Sequence, residues 1–256
     1  MAANRDAHGD PIPARFFFIH VMKTAGASFG QAIKRQFAEE AIYPCRGIEW
    51  TSPTSVEALD AYLKMSVLLA TTPERRATVQ VYTGHFPFMA CELLDPKLKT
   101  ITLLREPVER SVAALRHFKR IDAYRHLSLE EIYENREIFR FYVENHQTKV
   151  FSLHCDDRQD GIACELTFDD TRFARACENL AKVDVIGFTE SYTDLVTEVR
   201  ARFGWWPDGL DMSRRVNATT EGWDVGPELR ARIAVDNAYD VELYAYAREL
   251  VAHRMG

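Results

Sequence analysis

The chain has 256 residues, 46% hydrophobic and 27% charged, with a formal net charge of −6. That balance fits one large α/β domain or two small ones; it argues against a disordered chain and a general nucleic-acid binder, although 32 Lys and Arg leave room for a local basic groove. The opening stretch MAANRDAHGDPIPARFFFIH carries Arg5, Asp6 and Asp10 and only a short apolar run, so neither signal peptide nor membrane span is expected. The chain reads as cytoplasmic, with residues 1–14 as a flexible N-terminal segment. Cys45, Cys91, Cys155, Cys164 and Cys177 show no CxxC and no zinc-ligand spacing. Reduced thiols are the default, with Cys155 and Cys164 the pair that could join on oxidation.

Arg15–His20 is an apolar run that reads as a buried parallel strand. It ends in Val21-Met22-Lys23-Thr24-Ala25-Gly26-Ala27-Ser28, which turns into a helix expected over Gly26–Glu40. A phosphate fits there: helix N-terminal N–H groups and the helix dipole favour an anion, the small residues let it approach, and Lys23 adds a point charge. GxxxxGK[ST] is absent, so this is not a Walker A loop. A tight turn with an exposed lysine explains the same residues equally well.

Ser55–Leu69 has helical spacing, with Ser55 as N-cap and Pro53 as boundary. Val79–Gly84 and Lys99–Arg105 are the next two strands. After the latter, Pro107 suits a first helical turn, and Glu106 and Glu109 suit its dipole. Arg105 could make a forked contact to a second phosphate and Ser111 could supply a hydroxyl, although an Arg105–Glu109 ion pair is an equal reading. His117–Phe151 reads as helices over the sheet, Thr171–Leu180 and Tyr192–Phe203 as helices flanking a strand at Val183–Phe188, and Pro227–Met255 as a helix pair or one bent helix. Trp205-Trp206-Pro207 reads as a packed loop. The alternation predicts a three-layer α/β fold with a central parallel sheet, in one domain over residues 1–256. Two anion sites at strand carboxyl ends lie where an open sheet binds nucleotides.

FFFIHVMKTAGASF resembles the 5′-phosphosulfate loop, and LLREPVERSVAALRHF the 3′-phosphate motif, of carbohydrate sulfotransferases related to heparan sulfate 2-O-sulfotransferase. Further matches are Thr83-Gly84-His85, Asn145-x-Gln147-Thr148-Lys149, Gly187-Phe188-Thr189-Glu190, Asn217-Ala218-Thr219 and Asp240-x-x-Leu243-Tyr244, in family order from Phe16 to Tyr244. The resemblance implies a P-loop-like fold and transfer of a sulfuryl group from 3′-phosphoadenosine 5′-phosphosulfate to a hydroxyl on a saccharide or small molecule, without a metal. It assigns Lys23, Thr24, Ala25, Gly26, Ala27 and Ser28 to the 5′-phosphosulfate and Arg105 and Ser111 to the 3′-phosphate, with Thr219 or Thr220 closing over the donor. Lys23 would stabilise the leaving phosphate, and His85 holds the position of the acceptor base. Arg116, Lys119, Arg120 and Arg125 lie where relatives meet an anionic saccharide, although a solvated face paired with Glu130, Glu131 and Glu134 fits as well. His117, His126, His146 and His154 read as ordinary histidines. Two departures stand out: Thr83 replaces a second histidine found in several relatives, and Lys149 often corresponds to arginine. A nucleotide kinase and a non-catalytic nucleotide-binding protein remain alternatives, and the sequence does not set the oligomeric state.

Overall fold

A computed structural model describes residues 14–44, 48–49, 52–53, 56–206 and 223–255. The N-terminal segment to residue 13, Cys45, Ser55, Pro207, Asn217, Ala218, Thr219 and Thr220 lie outside these residues. β1 (Phe16–Ile19) leads into α1 (Gly26–Gln36), followed by β2 (Ile42–Tyr43) and an antiparallel ribbon of β3 (Ile48–Glu49) and β4 (Ser52–Pro53). Three helices, α2 (Val56–Leu63), α3 (Met65–Leu69) and α4 (Pro73–Thr78), deliver the chain to β5 (Val81–Gly84). α5 (Met89–Leu94) connects β5 to β6 (Lys99–Leu104), which runs into α6 (Pro107–Lys119). Next come α7 (Leu129–Glu134), α8 (Arg136–Ile138), a π-helical turn at Phe139–Val143 and α9 (His146–Ser152). The order continues with α10 (Asp170–Ala181), β7 (Val185–Phe188), α11 (Tyr192–Phe203), α12 (Pro227–Asp236) and α13 (Ala238–Met255).

The main sheet is parallel, in the order β2-β5-β1-β6-β7, with β1 in the middle. Side-chain alternation along β1 builds the layers. Phe16 and Phe18 face Phe29 and Ile33 of α1 and Leu195 and Val199 of α11. Phe17 and Ile19 face the layer that holds Val150 and Phe151 of α9, Leu180 of α10 and Leu243 of α13. All four β1 side chains are buried, each worth about 1.5–3 kcal/mol of apolar transfer. A third cluster packs Val112 and Leu115 of α6 against Ile132 of α7 and Ile233 of α12.

The three-layer α/β expectation therefore holds, with differences at the edges. Arg15, His20 and Arg105 lie just outside the strands, and the strands expected from Val79 and Val183 begin at Val81 and Val185. The helix expected over Ser55–Leu69 is broken at Lys64, because Asp160 takes the next turn: its carboxylate accepts from Ser66 N and Ser66 Oγ, both at 2.6 Å. α4, α5 and β2 were not expected, being only 2–6 residues long. The C-terminal segment is a helix pair, divided at Asn237. Trp205 and Trp206 are packed in the core against Phe16 and Phe29.

Candidate functional site

Because the strands are parallel, the residues that follow β1, β5, β6 and β7 emerge on one edge of the sheet. They include His20, His85, Arg105 and Thr189.

The loop after β1 carries two non-glycine residues with left-handed backbone, Lys23 (φ 68°) and Ala25 (φ 66°). L-residues avoid this region at about 1–2 kcal/mol each, so the conformation has to be stabilised by its surroundings. Thr24 helps: it is fully buried and its hydroxyl donates to Val21 O at 2.9 Å. Ala25 is the N-cap of α1 and has no capping side chain, and the first turn contains no acidic residue. Ser28 N already donates to Ala25 O at 3.0 Å, while the start of α1 has no N-cap side chain and no acidic residue, which suits an anion. Gly26 is also required by packing. A Cβ there would fall inside the His20 ring, so the glycine makes room for an imidazole beneath the loop.

Burial pushes the Lys23 ammonium down to about 8, and the charges of Arg120, Arg105 and Arg110 push the same way. Arg105 Nη1 donates to the Lys23 carbonyl at 3.3 Å. Its ion pair with Glu109 is loose at 3.8 Å, whereas Glu109 meets Arg230 at 2.7 Å. A partly exposed pair of that length contributes at most about 1 kcal/mol, so Glu109 does not claim the Arg105 guanidinium.

Behind Arg105 the scattered sequence matches come together. Gln147 Oε1 accepts from Arg105 N at 3.0 Å and Gln147 Nε2 donates to Arg105 O at 2.9 Å. The buried Asp240 carboxylate of α13 accepts from Gln147 N and Thr148 N, and Asn145 Oδ1 accepts from Asp240 N. From β7's end, Thr189 Oγ1 donates to Leu104 O, and Glu190 accepts from Glu106 N and Tyr244 OH, each at 3.1 Å.

His85 is held at several points. Its backbone N–H donates to Tyr62 O at 2.9 Å, an approach that needs Gly84, since a Cβ at Gly84 (φ 158°) would meet that carbonyl and the Phe86 ring. Its Nδ1 lies 2.6 Å from His20 O. A carbonyl only accepts, so Nδ1 carries the proton and Nε2 is the basic nitrogen of the neutral ring. Burial lowers the imidazole to about 4, the Lys23 and His117 charges adding to the effect and the His20 carbonyl opposing it. The ring is neutral at pH 7.

No family model matches the chain, and no curated protein matches it. Among solved structures it is similar to a sulfotransferase from Alicyclobacillus acidocaldarius, at 20% identity over 94% of this chain and 97% of that one, with a TM-score of 0.51. What the two share is the fold.

Several expected site residues sit elsewhere than expected. The N-terminus of α6 is already capped, because the Glu106 carboxylate accepts from Val108 N and Glu109 N at 3.1 and 2.8 Å. An anion beside α6 would therefore meet the Arg105 side chain and not the helix end. Ser111 is 1% exposed; its hydroxyl donates to Pro107 O one turn back, at 2.9 Å, and accepts from Arg110. It is turned into the packing. Of the basic residues after α6's start, Arg116 donates to Trp223 O and pairs with Asp224, Lys119 donates to Arg125 O and Leu127 O, and Arg125 pairs with Asp122. Of the partners expected for them, Glu131 feels the charge of Lys119 and Glu134 pairs with Arg232. Arg120 is the one whose charge reaches Lys23. Lys149 is buried, and its ammonium donates to Arg140 O, Phe141 O and Cys164 O. Cys155 is exposed and Cys164 buried, both as free thiols.

Four contributors have no site role in the sequence reading, although Gln147 stands in a matched motif and His117 reads as an ordinary histidine. His20 and Tyr62 surround His85, His117 lies within electrostatic reach of it and of Lys23, and Gln147 holds Arg105. The second imidazole beside His85 comes from β1's end, while Thr83 on β5 is buried with its hydroxyl unpartnered. Among the described residues no His, Cys, Asp and Glu group could hold a metal ion, and no helix is long and apolar enough to cross a membrane.

Proposed function

We propose that this protein transfers a sulfuryl group from 3′-phosphoadenosine 5′-phosphosulfate to an acceptor hydroxyl, on a saccharide or glycoconjugate. The observation that carries this reading is the hydrogen bond from the Arg105 guanidinium to the Lys23 carbonyl, which brings a cation from the end of β6 against the loop of Lys23, beside the start of α1 where no N-cap side chain is bound. Lys23 and Arg105 each disfavour the other's charge, a cost that a polyanionic ligand relieves.

The residues fit that donor. Lys23 to Ser28 and the start of α1 would hold the 5′-phosphosulfate, and the Arg105 fork the 3′-phosphate. When bound, the donor supplies the activated sulfuryl group. Lys23, still largely protonated at neutral pH, offsets charge that grows on the leaving phosphate oxygen. His85 Nε2 takes the acceptor's proton as the oxygen bonds to sulfur, and the proton then passes to solvent. The donor's negative charge raises the low affinity of His85 for a proton, bringing it closer to the working pH. The saccharide acceptor follows from the motifs that run in family order from Phe16 to Tyr244.

Calorimetry with adenosine 3′,5′-bisphosphate in the absence of magnesium tests the donor site. Mass spectrometry of an acceptor panel incubated with the phosphosulfate then tests the transfer. Tight magnesium-independent binding and gain of one sulfuryl group are expected. Preference for ATP with magnesium, and no gain on any acceptor, would show a phosphoryl transferase instead.

A further inference from the structure

We propose that Tyr62 and His20 are positioning residues for His85: Tyr62 fixes the His20 ring, and His20 fixes the orientation and tautomer of the His85 imidazole. This rests on the reading of His85 as the acceptor base and adds two side chains which that reading leaves out.

Three aromatic rings form the cluster. The Tyr62 hydroxyl hydrogen-bonds His20 Nδ1, and both residues are buried, at 6% and 5% exposure. The His20 and His85 ring centroids are 4.3 Å apart, and those of Tyr62 and His85 are 4.8 Å apart. Each partner also grips the His85 main chain or ring edge: Tyr62 O takes the backbone N–H and His20 O takes Nδ1–H. His85 cannot rotate without breaking the Nδ1 bond and leaving its place between two rings.

The charged and titratable groups that bear on His85 are His20 just after β1, Tyr62 from α2, Lys23 from the loop, His117 from α6 and His146 from α9. None of these is a carboxylate. The orienting task that an acid performs in a catalytic triad therefore falls to the His20 carbonyl, held in place by its own ring. Burial keeps that ring neutral and keeps the Tyr62 phenol protonated, so the pair adds no charge to compete with an imidazolium at His85. His20 also fills the space against Gly26, so one imidazole touches both the start of the phosphate-facing helix and the base. Two rings present only to fill a core would not need a hydroxyl aimed at one nitrogen and two carbonyls converging on one neighbour.

Tyr62→Phe keeps the ring and removes one oxygen. The expected result is a kcat lower by about tenfold, with the KM for the phosphosulfate and the affinity for adenosine 3′,5′-bisphosphate within twofold of wild type. Nitrogen-15 spectra of the histidines should show the single Nδ1–H tautomer of His85 in the wild type and a mixed or shifted signal in the variant. In a His85→Gln background, Tyr62→Phe should cost nothing further. Unchanged kcat with unchanged His85 resonances, or an equal loss of rate in both backgrounds, would overturn the proposal and leave the base assignment standing. Full activity of His85→Gln would remove the base assignment and this proposal together. Should Tyr62→Phe melt far below wild type, His20→Asn gives the same readings, since it removes the ring packed against His85 and keeps the backbone carbonyl.

Discussion

Gln147 holds Arg105 by both backbone polar groups, accepting from its N–H at 3.0 Å and donating to its carbonyl at 2.9 Å. This pairing places the guanidinium at the end of β6, and it involves no atom of the guanidinium itself. Gln147→Leu should weaken adenosine 3′,5′-bisphosphate by about tenfold, or about 1.4 kcal/mol, as read by calorimetry. Binding of adenosine 5′-phosphate, which lacks the 3′ group, should change far less. Arg105→Lys keeps the charge and loses the fork, so it should erode the same preference.

The pH profile of kcat/KM follows from two depressed groups. His85 must be unprotonated to act as base, and its free-enzyme value of about 4 puts the acid limb there. Lys23 must be protonated, and its value of about 8 puts the alkaline limb there. A plateau between roughly pH 5 and 7 is expected, with rate lost on either side. Bisphosphate binding near pH 8 should take up protons, because the phosphates raise the Lys23 value. Calorimetry in buffers of different ionisation enthalpy measures that uptake, and proton release would contradict it.

Lys149 has three N–H groups and meets three carbonyls. Lys149→Met would leave Arg140 O, Phe141 O and Cys164 O without this donor in a buried place, a loss of about 3 kcal/mol or more. The expected outcome is a melting temperature several degrees lower, with bisphosphate affinity of the folded protein preserved. A large loss of affinity at unchanged melting temperature would instead make Lys149 a binding residue.

His146 is fully buried, and neither ring nitrogen has a hydrogen-bond partner among the described residues. Burial, helped by Arg110, Lys149 and His85, holds its proton affinity well below the ordinary value of 6.5, and His85 and His117 are lowered to about 4. Between those lowered values and 6.5 the unfolded chain binds more protons than the folded one. Stability therefore rises with pH across that window and is lost as pH falls below about 6.5. His146→Leu should reduce the slope by up to one proton, about 1.4 kcal/mol per pH unit, in urea unfolding followed from pH 7 to 5.

The strands were legible because a parallel strand buried on both faces must be an apolar run, as in Phe16–Ile19. The strand-to-helix turn after β1 was legible as a turn, because small residues follow an apolar run and open a helix at Gly26, while the sequence leaves open whether it binds a phosphate or nothing. His20 and Tyr62 were not, because their contact joins residues 42 positions apart through a fold that no local pattern encodes. The hydroxyl direction of Ser111 was not legible for a local reason: a helical serine can donate to the carbonyl four residues back, as Ser111 does to Pro107 O, and its sequence position does not say which way it turns. Glu106 complements the dipole of α6 as expected, and it does so as the N-cap, accepting from Val108 N and Glu109 N.

The link from Asp240 to Gln147 has a consequence for biosynthesis. A nascent chain halted before residue 240 would already contain every described strand of the sheet and the loops of Lys23 and Arg105, yet lack the carboxylate that seats α9 and, through it, Arg105. On the proposed reading, nucleotide affinity would depend on the docking of α13, so the ligand would select molecules in which that helix is seated, and its presence would shield them from proteolysis.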